Sequence, residues 1–154
     1  MNPETPEPES QDVAEQGSPE ICISVIIENF DDDPECLAEA LGIRPFKLWR
    51  KGDLCHPKLL QRRKSNGLEV YFEITNEPRP VMDDVLQLAI SPFLERLDVF
   101  DNLPRHSQVR ISGAVFEPEQ RTAFRISPAT MCTLARMRAS FNMDIYRSSD
   151  ATHV

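Results

Sequence analysis

Basic residues are missing from the first 20 positions, which hold six acids (Glu4, Glu7, Glu9, Asp12, Glu15, Glu20) and four prolines (Pro3, Pro6, Pro8, Pro19). Val13 is the only apolar residue there besides Met1 and Ala14. Such a segment cannot bury enough apolar area to offset its ordering entropy, so residues 1–20 are expected to form a disordered acidic tail. Glycine is scarce, five in 154 residues and scattered, which excludes a glycine-rich phosphate cradle. There is no HExxH and no CxxC, so the common zinc and dithiol motifs are excluded. The four cysteines (Cys22, Cys36, Cys55, Cys132) are expected to be reduced thiols in a cytoplasm. No apolar run approaches the ~18 residues of a membrane span. The opening MNPETPEPES has neither the basic region nor the apolar core of a signal peptide. An excess of positive charge is also absent. The net charge of −8 disfavours nonspecific binding to nucleic acid or an anionic membrane.

Residues 21–147 are expected to be a single folded domain, and 148–154 a flexible C-terminal tail. Ile21, Ile23, Val25 and Ile27 alternate with Cys22, Ser24, Ile26 and Glu28, which predicts a strand. Asp33-Pro34-Glu35 opens a helix with stripe Leu37, Ala40 and Leu41, closed by Gly42. A short strand follows over Phe46–Arg50. A clear one begins at Asn66-Gly67, with Leu68, Val70, Phe72 and Ile74 on one face. Val81, Val85, Leu88 and Ala89 predict a helix, and Ser91-Pro92 starts another reaching Phe100. Val109, Ile111, Gly113 and Val115 make a strand. Glu117 to Gln120 turns it into a hairpin partner over Thr122, Phe124 and Ile126. Ser127-Pro128 caps a helix with stripe Met131, Leu134 and Ala135. Phe141, Met143 and Ile145 alternate in a last strand.

The order is β-α-β-β-α-β followed by β-α-β. Its first six elements match the split β-α-β arrangement of ferredoxin-like folds. The expected architecture is α+β, a mostly antiparallel sheet with helices on one face.

Charge of one sign gathers in one place. From Arg44 to Lys64 there are eight bases against one acid, Asp53, a local charge of +7. RNA-recognition domains of this topology carry stacking aromatics on the third strand. Here Leu68 and Glu69 stand in that run, so nucleic acid is not the expected partner. The basic segment reads as a long, mobile, solvated loop or as a protein contact. Cys55-His56 and Asp31-Asp32-Asp33 lack the partners and spacing of a metal site. No catalytic residue, metal or cofactor is expected.

Leu41-Gly42-Ile43-Arg44-Pro45 followed by Trp49-Arg50-Lys51-Gly52-Asp53 resembles the LGI-x-P…W-x-x-G segment of the bacterial family called domain of unknown function 4279. Asp33-Pro34, Ile126-Ser127-Pro128 and the closing Met143-Asp144-Ile145-Tyr146 extend the resemblance over residues 21–147. Where that family carries a tryptophan in the strand after the basic loop, this chain has Tyr71-Phe72. The resemblance implies a small soluble protein with no established activity, related in architecture to immunity proteins found beside polymorphic toxins.

Candidate binding residues follow from strand alternation. If Phe46 and Leu48 face inward, Lys47, Trp49 and Lys51 share the outer face, beside Arg50. The last strand turns Asp144 and Tyr146 outward. Trp49, Arg50, Lys51, Asp144 and Tyr146 are therefore the candidate binding surface. The packing alternative has Trp49 covering the sheet's second face against Tyr146. The expected function is that of a non-enzymatic binding protein acting by protein–protein contact, a toxin-neutralising immunity protein whose acidity suits a basic toxin. The alternative is a small-ligand or enzymatic domain that seats an anion on Arg50, with Trp49, Asp144 and Tyr146 around it. The sequence sets neither the partner's identity nor the oligomeric state.

Overall fold

Alternation makes Ile21–Phe30 a strand, β1, whose Ile21, Ile23, Val25 and Ile27 are all buried on one face. The computed structural model describes residues 21–74, 81–117 and 124–147. After β1 come α1 (Pro34–Leu41), β2 (Lys47–Trp49), β3 (Asn66–Ile74) and α2 (Met82–Ile90). A 3-10 turn (Ser91–Arg96), α3 (Leu97–Asn102), β4 (Gln108–Glu117), α4 (Pro128–Arg136) and β5 (Ala139–Arg147) complete the order. The sheet runs β2-β3-β1-β4-β5. β1 pairs antiparallel with β3 and β4, β2 antiparallel with β3, and β4 parallel with β5. Its first four strands have the ferredoxin-like order. Each of the crossings β1-α1-β2 and β3-α2-β4 spans one intervening strand, and β5 extends the sheet by an adjacent parallel crossing through α4. This is the α+β, mostly antiparallel architecture predicted.

The helices lie on one face over a single core that joins Val25, Leu41, Leu68, Leu86, Phe93, Phe100, Ile111, Leu134 and Met137. α1 forms where its caps dictate. Asp33 accepts from the Glu35 N–H at 2.9 Å, Pro34 fills the first helical position, and Gly42 closes the helix at φ 67°. The Gly42 and Ile43 N–H groups return to Glu39 and Ala38, a Schellman motif. Ser127 caps α4 by accepting from the Thr130 N–H.

Three expectations are corrected. Phe124–Ile126 form no strand, and the turn and Thr122 expected before them lie outside the described residues. The helix expected over Pro92–Phe100 divides into the 3-10 turn and α3, because Pro92 supplies no N–H to an α ladder. The helical stripes are rotated. Ala40, Val81, Leu88, Met131 and Ala135 are exposed, while Ala38, Met82, Leu86, Ile90, Thr130 and Met137 are buried. The expected tails, 1–20 and 148–154, lie outside the described residues.

Candidate functional site

The face of the sheet away from the helices carries no second layer among the described residues. Trp49 lies on that face, paired across the ladder with Gly67. A Cβ at position 67 would run into the indole, so glycine is what lets the ring lie flat on the strand. The Arg63 guanidinium covers the ring from outside, 4.5 Å from its centroid. Between Gly67 and Arg63 the indole is left 5% exposed. Leu48 packs toward the core as expected, but Phe46 does not. It is exposed and sits against Tyr71 with ring centroids 5.3 Å apart.

Arg50 joins β2 to the start of α1. Its Nε donates to Asp33 Oδ2 at 2.8 Å and its Nη2 to Oδ1 at 3.2 Å, and Glu35 lies 3.4 Å away. This fork holds the Asp33 carboxyl below the ordinary carboxylate range, with the Glu35 N–H as the second cause, and holds Arg50 above its ordinary value. Arg50 is thus a staple rather than a vacant cation. The Lys51 N–H donates to Asn66 Oδ1 at 2.9 Å, and Asn66 Nδ2 donates to the Asp32 carbonyl at 3.0 Å.

From there the chain forms a hairpin arm. The Arg50 N–H donates to Asp53 Oδ2 at 2.7 Å, and Gly52 turns at φ 94°. The Gly52 N–H donates to the Arg63 carbonyl, the Arg63 N–H to the Asp53 carbonyl, and the Cys55 N–H to the Gln61 carbonyl, at 2.9, 2.7 and 2.9 Å. Leu54 and Arg62 bridge between the limbs. The tip, His56 to Leu60, is closed by the Leu59 N–H donating to the His56 carbonyl and the Lys58 N–H to His56 Nδ1. Leu60 stands 97% exposed there and Leu59 half so, among the exposed Lys51, Lys58, Arg62 and Lys64.

Asp144 and Tyr146 are elsewhere. Trp49 pairs with Gly67, Gly67 with Glu28 and Glu28 with Gln108, whereas Tyr146 pairs with Phe116. Tyr146 is therefore four strand spacings from Trp49 across the sheet, ~19 Å, and eight residues along it, ~26 Å. Trp49 and Tyr146 occupy opposite corners, so they form neither a shared site nor the packing pair proposed for them. Tyr146 stacks instead on Phe116, at 5.2 Å and 14°.

The family model described as "Domain of unknown function (DUF4279)" matches residues 19–148. The chain belongs to the DUF4279 family. No curated protein and no solved structure matches it. In this DUF4279 domain, Gly42 is the left-handed helix cap, Trp49 the indole on Gly67, Gly52 the positive-φ turn and Asp53 its cap.

Glu28, Glu69 and Glu73 lie on the open face, where they oppose a polyanion. Ser24 Oγ donates to Glu69 at 2.6 Å and Tyr71 Oη to Glu73 at 2.9 Å. Hydrogen bonding to the Cys22 side chain, then to Glu73, raises the Tyr71 pKa well above its ordinary value. Between α2 and α4 a groove of about 530 Å³ is lined by Asp84, Leu88, Leu94 and Thr133. Among the described residues no three His, Cys, Asp or Glu side chains gather as metal ligands would. No described helix is long and apolar enough to cross a membrane.

Sequence reasoning counted Arg63 in the basic run but missed its place over Trp49, and it missed Leu59 and Leu60. The available signal was an apolar doublet inside the basic run, but limbs of three or four residues carry too little alternation to reveal a hairpin.

Proposed function

We propose that this chain is a bacterial cytoplasmic binding protein without enzymatic activity, which holds an acidic protein surface on the 50–64 arm. Toxin neutralisation, as an immunity protein, is the role proposed for that contact. One observation carries the reading: a hydrogen-bonded arm presents Leu59 and Leu60 at its tip among exposed bases. Binding residues sit disproportionately on loops positioned by a rigid scaffold, and apolar surface rimmed by polar residues marks contact sites. The bases steer an acidic partner and the leucines bury against it.

The charge distribution supports an acidic partner. Of the 25 acids, six lie in residues 1–20 with no base beside them. Residues 21–154 therefore hold 19 acids against 17 bases, a net of only −2. The overall acidity that suited a basic toxin belongs largely to the first 20 residues, and the arm calls for acids opposite it.

The test is affinity capture from the native host by the wild-type chain and by the variant K58Q/L60S/K64Q. These three side chains are exposed and outside the arm's hydrogen-bond ladder, so the variant should melt with the wild type. An acidic protein held by the wild type and lost by the variant is the expected result. Equal capture by both would remove the arm from the binding surface.

A further inference from the structure

The acidic counterpart that the arm calls for is already present in the chain. Residues 1–20 carry six acids and no base, against six bases and one acid, a charge of +5, over the arm's residues 50–64. The segment joins the domain at Ile21, which pairs with Ile74 and Val115 at one end of the sheet. The arm springs from the other end, where Gly67 pairs with Glu28. Those rows are seven residues apart on β1, ~23 Å. Twenty residues can span up to ~66 Å, so the segment reaches the arm with length to spare. A tether of that reach holds the segment near the arm at about millimolar effective concentration. Weak charge pairing is then enough to occupy it for much of the time.

We propose that the N-terminal acidic segment of this same chain docks on the basic arm and competes there with the external partner. This rests on the arm being the binding surface. The contact is electrostatic, between the segment's carboxylates and Lys51, Lys58, Arg62 and Lys64, and it requires no folded conformation of the segment. A partner must displace it, so the segment sets the affinity threshold for binding and discriminates against weakly acidic surfaces.

The experiment compares the full-length wild type with the full-length variant E4Q/E7Q/E9Q/D12N/E15Q by amide chemical shifts. The expected differences concentrate on Lys51 and on Lys58 to Lys64, away from α2 and α4. In the wild type the same amides should move toward the variant's positions as salt rises from ~0.1 to ~1 M, where the Debye length falls from ~10 to ~3 Å. Poly-L-glutamate serves as the external probe. It should bind the variant about 2- to 10-fold more tightly than the wild type, because the competitor is gone. Unchanged arm amides would overturn the docking, and so would differences that fade on dilution, which would assign the segment to the arm of a second copy. The two readings fail separately. Equal poly-L-glutamate binding by both chains keeps the arm and removes the competitor. Arm shifts without poly-L-glutamate binding to either chain keep the competitor and remove the external acidic partner.

Discussion

Trp49 illustrates how a candidate contact residue becomes a structural one. A solitary tryptophan beside bases on an edge strand has the composition of a binding site, yet here both faces of the ring are occupied. Gly67 takes one and Arg63 the other. Trp49→Ala should therefore cost ~3–5 kcal/mol in urea unfolding. A loss under ~1 kcal/mol would mean that the indole contributes little packing. Gly67→Ala should also destabilise, because its Cβ meets the indole. A second residue-scale prediction concerns acid. Arg50 lowers the Asp33 pKa, and the Ser127 N–H, donating at 2.9 Å and backed by the Thr130 side chain, lowers that of Asp83. Both carboxyls bind protons less readily folded than unfolded. Their stabilisation is thus complete above the ordinary carboxylate value of 3.8 and is lost as pH falls through and below it. The urea midpoint should begin to drop near about pH 4 and go on falling below about pH 3. The drop should be smaller in D33N/D83N, and an equal drop in that variant would place the acid sensitivity elsewhere.

Elements were legible in the sequence where backbone chemistry is local. Asp33-Pro34 and Gly42 bracket α1, and Ser127-Pro128 starts α4, because caps act through immediate neighbours. β1, β3, β4 and β5 were legible because alternation registers a buried face directly. The helical stripes were misphased where apolar residues ring the helix. In α2, Met82, Val85, Leu86, Ala89 and Ile90 are buried while Leu88 is half exposed, and only the position of the sheet selects among them. The site was less legible still. Strand alternation placed Trp49 and Tyr146 on one face correctly, but their separation follows from strand order, which no local pattern encodes. The arm depends on a handful of backbone hydrogen bonds between unpatterned limbs. Its amides should accordingly divide under hydrogen exchange. Gly52, Cys55 and Arg63, which donate across the limbs, should exchange more slowly than Leu60 at the tip. Uniformly fast exchange from 52 to 63 would dissolve the arm into the loop the sequence suggested. The double variant L59S/L60S should alter stability by no more than ~0.5 kcal/mol, since both side chains face solvent.

The molecule as a whole hangs on β1. It is hydrogen-bonded along its length on both sides, to β3 and to β4, and neither neighbour is next to it in sequence. Its inward residues Ile23, Val25 and Ile27 are fully buried beneath the helices. The edges differ. β2 pairs over only three residues, and β5 is held by β4 along one side and by α4 above. Opening of β5 costs one parallel ladder and the partly buried Phe141 and Met143, whereas opening of β1 severs the sheet and empties the core. Local stability should rise from edge to centre for that reason. Native-state exchange in low denaturant should show the Ile23, Val25 and Ile111 amides opening only with global unfolding, with a denaturant dependence equal to that of the whole domain. The β5 amides should exchange through a smaller opening with a shallower dependence. If β5 exchanged together with β1, α4 would be welding the parallel edge into the core, and the domain would unfold as one cooperative unit with no softer margin.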